Sequence, residues 1–226
     1  HLLRGTLAHA FFEAIGRGMD AEKAKLLVME AFERIQDVPQ WQLRFKLDEF
    51  SALLDRAREW ARQSEVNQEL VGVEIPVGVH VGEGVRIGGY MDRLLRDEEG
   101  NYLVVDLKTG KTQPAKKEAE DHVQLMTYQL ALAHGAFDGH QVHDGEGMPR
   151  QGGVLVYPGA TTKKIGEIWQ SDKSPEALEE FAALLPPLVE EMRGPRITAR
   201  TNKDCDKCPI RSICPVQEEG RMTTDA

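Results

Sequence analysis

Gly88-Gly89-Tyr90-Met91-Asp92-Arg93-Leu94-Leu95 and Tyr102-Leu103-Val104-Val105-Asp106-Leu107-Lys108-Thr109-Gly110-Lys111, separated by Asp97-Glu98-Glu99-Gly100-Asn101, decide how this chain is read. Two β-branched, apolar runs around a turn rich in glycine and asparagine predict a β-hairpin. Side chains alternate along a strand, so Asp106 and Lys108 share a face, and each strand contributes one carboxylate. Two acids and a lysine converging on one face predict a site for a hard divalent cation, with an adjacent cationic group. Such a cation activates water and offsets charge on a phosphodiester, and Lys108 would steady the charge that develops there.

Outward from the hairpin, the apolar spacing predicts a helix over 4–17 on a Leu7, Phe11, Ala14, Ile15 stripe. Asp20 is placed to cap a second helix over 21–35, with Leu27, Ala31 and Ile35 in phase. After Pro39 a long helix over 40–64 is expected to bury Phe45, Phe50, Leu53, Leu54, Ala57 and Ala61. A strand at 70–77 precedes the hairpin. A helix over 116–134, a polar loop over 135–152, strands at 153–157 and 164–170, and a helix opened by Ser174-Pro175-Glu176 and running to about Met192 follow. Helices first, then a meander, a helix and two more strands predict an α/β architecture: a mixed sheet flanked by helices behind a helical N-terminal region. The expected domain is 1–200, with a helical preface over 1–66 and a core over 67–193, followed by a tail over 201–226.

The chain has 226 residues, 41% hydrophobic and 29% charged, which is the composition of a folded globular protein. No apolar run approaches the roughly 20 residues of a membrane helix. A net charge of −9 argues against binding nucleic acid over the whole surface but leaves room for a local basic groove. The three cysteines, Cys205, Cys208 and Cys214, fall within ten residues in a C-x2-C-x5-C spacing. Clustered cysteines without a secretion signal predict a cytoplasmic metal site rather than disulfides. His140, His143 and Asp144 share one glycine-rich loop and are read as solvated.

Further acceptors and donors surround the hairpin. His9 lies on the first helix, Glu74 on the preceding strand, and Gln124 and Tyr128 are spaced i,i+4 on the following helix. The order His9, Glu74, Asp92, Asp106-Leu107-Lys108, Gln124-x-x-x-Tyr128 resembles the PD-(D/E)xK nuclease superfamily, in particular its RecB-like branch. That resemblance implies a restriction-endonuclease-like core. It implies Mg²⁺ or Mn²⁺ held by His9, Asp92, Asp106 and the Leu107 carbonyl, with Glu74 a further candidate. Lys108 would be the catalytic lysine, and Gln124 and Tyr128 would shape the site and touch DNA. Arg93, Lys111, Lys116 and Lys117 are candidate DNA contacts, and Tyr90 and Tyr128 candidate stacking platforms.

The wording of Val104 to Lys111, Gln124 to Ala131 and Cys208 to Gln217 is similar to the C-terminal nuclease domains of actinobacterial AdnAB-type helicase–nucleases. This resemblance implies cleavage of a single DNA strand during end resection and a helicase or ATPase in the parent chain or a partner. It also implies a [4Fe–4S] cluster on Cys205, Cys208 and Cys214, with a fourth cysteine upstream of His1; zinc is the second choice. No phosphate-binding G-x-x-x-x-G-K-[ST] loop occurs in these residues. The alternatives are a free-standing RecB-like exonuclease similar to CRISPR adaptation nucleases, and a non-catalytic, cluster-stabilised DNA-end-binding module.

Overall fold

A computed structural model describes residues 2–81, 84–134, 136–137, 140–141, 148–160, 164–195 and 198–218. Three helices come first: α1 (Leu2–Gly16), α2 (Ala21–Arg34) and α3 (Gln40–Ser64). Asp20 caps α2, accepting a 2.9 Å hydrogen bond from the Lys23 N–H, with Glu22 in the first turn. The buried stripe of α2 is Ala24, Val28 and Phe32, one residue out of phase with the expected Leu27 and Ile35, which are exposed. The Phe32 ring meets Phe50 of α3 at 4.3 Å between centroids, and that contact fixes the phase. In α3 the expected Phe50, Leu53, Leu54, Ala57 and Ala61 are buried, but Phe45 is 64% exposed. Leu47, three residues before Phe50, packs against the core where Phe45 was expected.

The sheet has the strand order β5-β4-β1-β2-β3-β6-β7. Its long members are β1 (Glu69–His80), β2 (Arg86–Arg96), β3 (Tyr102–Leu107), β6 (Arg150–Tyr157) and β7 (Gly166–Gln170). The short β4 (Ala136–Phe137) and β5 (His140–Gln141) form its far edge. β1, β2 and β3 are antiparallel neighbours, β3 and β6 are parallel, and β6 and β7 are antiparallel. The β2–β3 hairpin is as expected. Asp97 clamps its turn by accepting from the Asn101 N–H at 2.7 Å, and Gly100 takes the required φ of +87°.

The β3-to-β6 crossover carries α4 (Lys116–Glu120) and α5 (Val123–Ala133), where one helix over 116–134 was expected. The break has a physical cause. The buried Gln170 amide lies within hydrogen-bond distance of the carbonyls of Ala119, Glu120 and His122, at 3.0, 3.1 and 3.2 Å. The Ala119 and Glu120 carbonyls at the end of α4 are thus satisfied without a continuing helix, while the His122 carbonyl also accepts the Met126 N–H of α5.

Alternation along the strands divides the core. Leu103, Val105 and Leu107, with Leu95, Val154 and Val156, pack against α1–α3. Val104 and Leu155 pack with Leu125, Tyr128, Ala131 and Leu132 of α5. The central strands are therefore covered on both faces, as a parallel pair requires.

Residues 1–183 and 184–226 form two compact units. The last helix, α6 (Pro175–Arg193), contains Pro186 and Pro187 within its span. The second unit carries two 3₁₀ turns, Cys205–Lys207 and Arg211–Ile213. Among the described residues no helix is long and apolar enough to cross a membrane.

Arg93 departs from its expected place. As the strand neighbour of Asp92 it points to the opposite face, is fully buried, and reaches 4.4 Å from the Phe12 ring centroid while pairing with Glu65 at 2.5 Å. It braces β2 against α1 and the end of α3 and is not available to a phosphate backbone. Arg93→Ala should destabilise the fold by about 2–4 kcal/mol, because packing, cation–π attraction and ion pairing all go with the guanidinium. Chemical denaturation checks this, and Arg93→Met, which keeps the volume, should lose less.

Candidate active site

The carboxyl end of β3 and the C-terminal end of its parallel neighbour β6 open onto a cleft of about 500 Å³. A crevice beyond the carboxyl ends of parallel strands is the position in which α/β sheets place ligands. His9, Asp92, Asp106, Lys108, Gln124 and Tyr128 all line it. Residues from α1, β2, β3 and α5 thus meet in one place, although they are far apart in the sequence.

Asp92 joins these elements. Its Oδ1 lies 3.1 Å from Nδ1 of His9, and its Oδ2 accepts a 2.6 Å hydrogen bond from the Leu107 N–H. With Nδ1 engaged, the other ring nitrogen of His9 is left for a ligand. Burial works against a charged His9, but the hydrogen bond to Asp92 and the charges of Asp92, Asp106 and Glu74 outweigh it, so its pKa lies above the ordinary value.

Glu74 reaches the same point by an unusual backbone. Its φ is +47°, the only positive value for a non-glycine among the described residues. That conformation costs about 1–3 kcal/mol. It is found where the His9, Glu74 and Asp92 donor atoms all lie within 4.8 Å of one another. Burial first, then the Asp92 charge, raises the Glu74 carboxyl above its usual range. Glu74 does not itself line the cleft, so it closes the donor set from the side of β1.

Asp106 is buried, and Lys108 lies 2.7 Å from its Oδ2. The same Lys108 ammonium donates to Oε1 of Gln124 at 2.6 Å. Gln124 Nε2 in turn donates to the Tyr128 hydroxyl at 2.9 Å, and that hydroxyl donates to the Tyr90 carbonyl at 2.5 Å. The chain of bonds fixes which way the Gln124 amide faces and where Lys108 sits. Burial, reinforced by the Asp92 charge and opposed by Lys108, pushes the Asp106 carboxyl up to about 6. The donor atoms within 4.8 Å of one another are those of His9, Glu74 and Asp92, while Asp106 lines the same cleft without belonging to that set. Carboxylates and an imidazole gathered in this way suit a hard divalent cation, which would relieve the repulsion between them.

Other expected residues fall elsewhere. Tyr128 is only 5% exposed, with its hydroxyl committed, so it is a spacer rather than a stacking platform. Burial raises its pKa to about 12. Tyr90 is 61% exposed and lines the cleft. Lys111 pairs with Glu49 at 2.5 Å, and Lys116 and Lys117 are exposed at the start of α4. Leu107 lines the cleft through the strand that carries Asp106. Cys205, Cys208 and Cys214 are partly exposed free thiols. His143, Asp144 and the His140 side chain lie outside the described residues. Tyr157, at the end of β6, lines the cleft and was not singled out in the sequence; its signal is the last position of a strand parallel to β3. Burial and then Asp106 raise its pKa.

The profile of the PD-(D/E)XK nuclease superfamily matches residues 1–215. Among solved structures, one described as the crystal structure of SSO0001 is 17% identical. The match covers 93% of this chain and 85% of that one with a TM-score of 0.44, too distant to add to the argument. No curated protein matches the sequence.

The raised Asp106 pKa makes stability depend on pH. A folded carboxyl titrating near 6 binds its proton more tightly than the unfolded chain does, so its contribution favours folding in acid and is lost as pH rises through about 6. With chelator at pH 7.5, Asp106→Asn should therefore melt higher than the wild type, and the gap should close near pH 4. Added Mn²⁺ should raise the melting temperature of the wild type and leave the variant nearly unmoved. Thermal unfolding followed by circular dichroism measures both.

Proposed function

The chain belongs to the PD-(D/E)XK nuclease superfamily, and we propose that it is a Mg²⁺- or Mn²⁺-dependent deoxyribonuclease acting on single-stranded DNA. The observation that carries this reading is the Lys108 ammonium, held between Asp106 and Gln124 beside the converging His9, Glu74 and Asp92 donors. The donor set fits a hard cation: oxygen-rich, with one imidazole, and with Asp106 Oδ2 buried and lacking a hydrogen bond of good geometry. His9, Asp92 and Asp106 would hold it, with Glu74 and the Leu107 carbonyl as further oxygen donors. Such a cation activates water and neutralises phosphate charge.

The chain's own groups do the rest. Hydrolysis adds the oxygen of water to phosphorus and breaks the bond to the leaving sugar oxygen, which takes up a proton. An ammonium has three N–H donors. The Lys108 ammonium donates to Gln124 and pairs with Asp106 Oδ2 at 2.7 Å, and a further N–H would serve a phosphate oxygen or the incoming water. Gln124 orients Lys108, and Tyr128 orients Gln124. Tyr90 offers its exposed ring to a base, which suits an unpaired strand better than a duplex.

We further read the chain as a RecB-like, AdnAB-type nuclease domain working with a helicase in end resection. The wording around Asp106, Gln124 and the cysteines supports this. The tail over 201–226 would bear a [4Fe–4S] cluster on Cys205, Cys208 and Cys214, with the fourth thiolate from outside these residues. Asn202 N–H already lies 3.1 Å from the Cys205 sulfur, the kind of contact that stabilises a bound thiolate.

Lys108→Ala should cut cleavage of a 5′-labelled single-stranded oligonucleotide by about 10²–10³-fold while leaving Mn²⁺-induced stabilisation in place. Cleavage by this variant at the wild-type rate refutes the role of Lys108. The protein purified without oxygen, with its parent chain, should be brown, with iron and sulfide near four each per chain as for one [4Fe–4S] cluster. Stoichiometric zinc and no visible absorbance would replace the iron assignment.

A further inference from the structure

Two large aromatic side chains are left in solvent one helical turn apart. Trp41 is 75% and Phe45 64% exposed, and at i,i+4 they stand on one side of α3. The next member of that row is Glu49, which pairs with Lys111 just beyond the cleft residues Thr109 and Gly110. Glu49 also lines a second groove of about 480 Å³, together with Leu3, Arg4, Ile35 and Lys46. The first turns of α1 run from this groove to the cleft: a Cβ added to Gly5, next to Arg4, would lie 3.4 Å from Oγ1 of Thr109. Glu49 thus joins the aromatic row to the groove, and its pair with Lys111 reaches toward the cleft.

The charges along this path favour an anion. Arg4 and Arg44 have no carboxylate partner among the described residues, and Nε of Arg4 is buried without a hydrogen bond. Lys46 bonds only to the neutral Gln36. Glu49 is paired with Lys111, while Asp37 in the groove and Asp48, four residues after Arg44 on α3, have no basic partner among the described residues. Arg4, Arg44 and Lys46 therefore outnumber these acids by three to two. Aromatic faces alternating with unpaired cations are what a single nucleic-acid strand requires, with bases stacking and phosphates pairing.

We propose that the Trp41–Phe45 face of α3 and the adjoining Arg4–Lys46 groove form a secondary binding track for single-stranded DNA. The track leads past Lys111 into the cleft. It rests on the nuclease reading above and extends it: strand selection is made outside the catalytic residues, by a stacking platform that a duplex cannot use.

Binding of a fluorescein-labelled oligothymidylate of about 20 nucleotides, with Ca²⁺ in place of Mg²⁺ and read by anisotropy, tests this. Trp41→Ala/Phe45→Ala should weaken binding by about 10–100-fold, the effect of removing two stacked bases at the low end of their usual contribution. The corresponding fall in cleavage should appear in KM rather than kcat. Arg4→Gln/Arg44→Gln should flatten the salt dependence of binding by about 0.7 for each phosphate no longer neutralised. Oligothymidylate should quench wild-type tryptophan emission, and Trp41→Phe should remove most of that quenching. Both aromatics are exposed, so neither variant should disturb folding. If the wild type binds and cleaves while the double aromatic variant does so equally well, the track is refuted and the nuclease reading stands. If the wild type neither binds nor cleaves, both fail together. Unchanged DNA affinity with conversion of a wild-type dimer to monomer in sedimentation would make a second copy the occupant and overturn the proposal.

Discussion

Asp92 is the carboxylate on which the site depends. One oxygen meets the imidazole of His9 on α1 and the other accepts the Leu107 N–H of β3. A β2 side chain thereby sets the distance between a helix and a neighbouring strand. It also fixes the imidazole orientation that a metal ligand needs. Three acids and one histidine are gathered here in a partly buried place, and burial makes their mutual repulsion costly. Burial first, then the Asp92 charge, raises the Glu74 and Asp106 carboxyls, whereas at His9 burial is outweighed by the surrounding carboxylates. Lys108 answers part of the repulsion, and a divalent cation would answer the rest.

Around this centre the sheet keeps two kinds of chemistry apart. Adjacent positions of β2 point to opposite faces, so Asp92 serves the cleft and Arg93 serves the packing against α1 and α3. On β3 the same alternation sends Val105 and Leu107 into the apolar layer, while Asp106 between them turns to the cleft. The α5 side is arranged by Gln170, whose amide takes up the carbonyls at the α4–α5 break. That break sets the start of α5 and hence the reach of Gln124 to Lys108.

Much of this was legible because it follows local periodicity. The hairpin, the 40–64 helix, the Asp20 cap and the shared face of Gln124 and Tyr128 all follow from spacing and turn chemistry. The convergence of His9, Glu74, Asp92, Asp106 and Lys108 became legible through the order of weak motifs rather than any one of them. Features set by tertiary packing were not legible. The phase of α2 is decided by Phe32 against Phe50, and Phe45 yields its core place to Leu47. The burial of Tyr128 and Arg93 depends on what lies above and below the sheet. No sequence pattern announces a left-handed glutamate at position 74, because its strain is sustained by the surrounding structure.

The central claim is that these residues form a cation site whose occupancy is required for phosphodiester cleavage. Electron paramagnetic resonance can count bound Mn²⁺ while the same samples are assayed for cleavage of a single-stranded oligonucleotide. The account predicts that occupancy and initial rate rise together over one titration and that Asp92→Asn loses both. Cleavage that proceeds at full rate before Mn²⁺ is bound, or Mn²⁺ binding that is unchanged in Asp92→Asn, would contradict it.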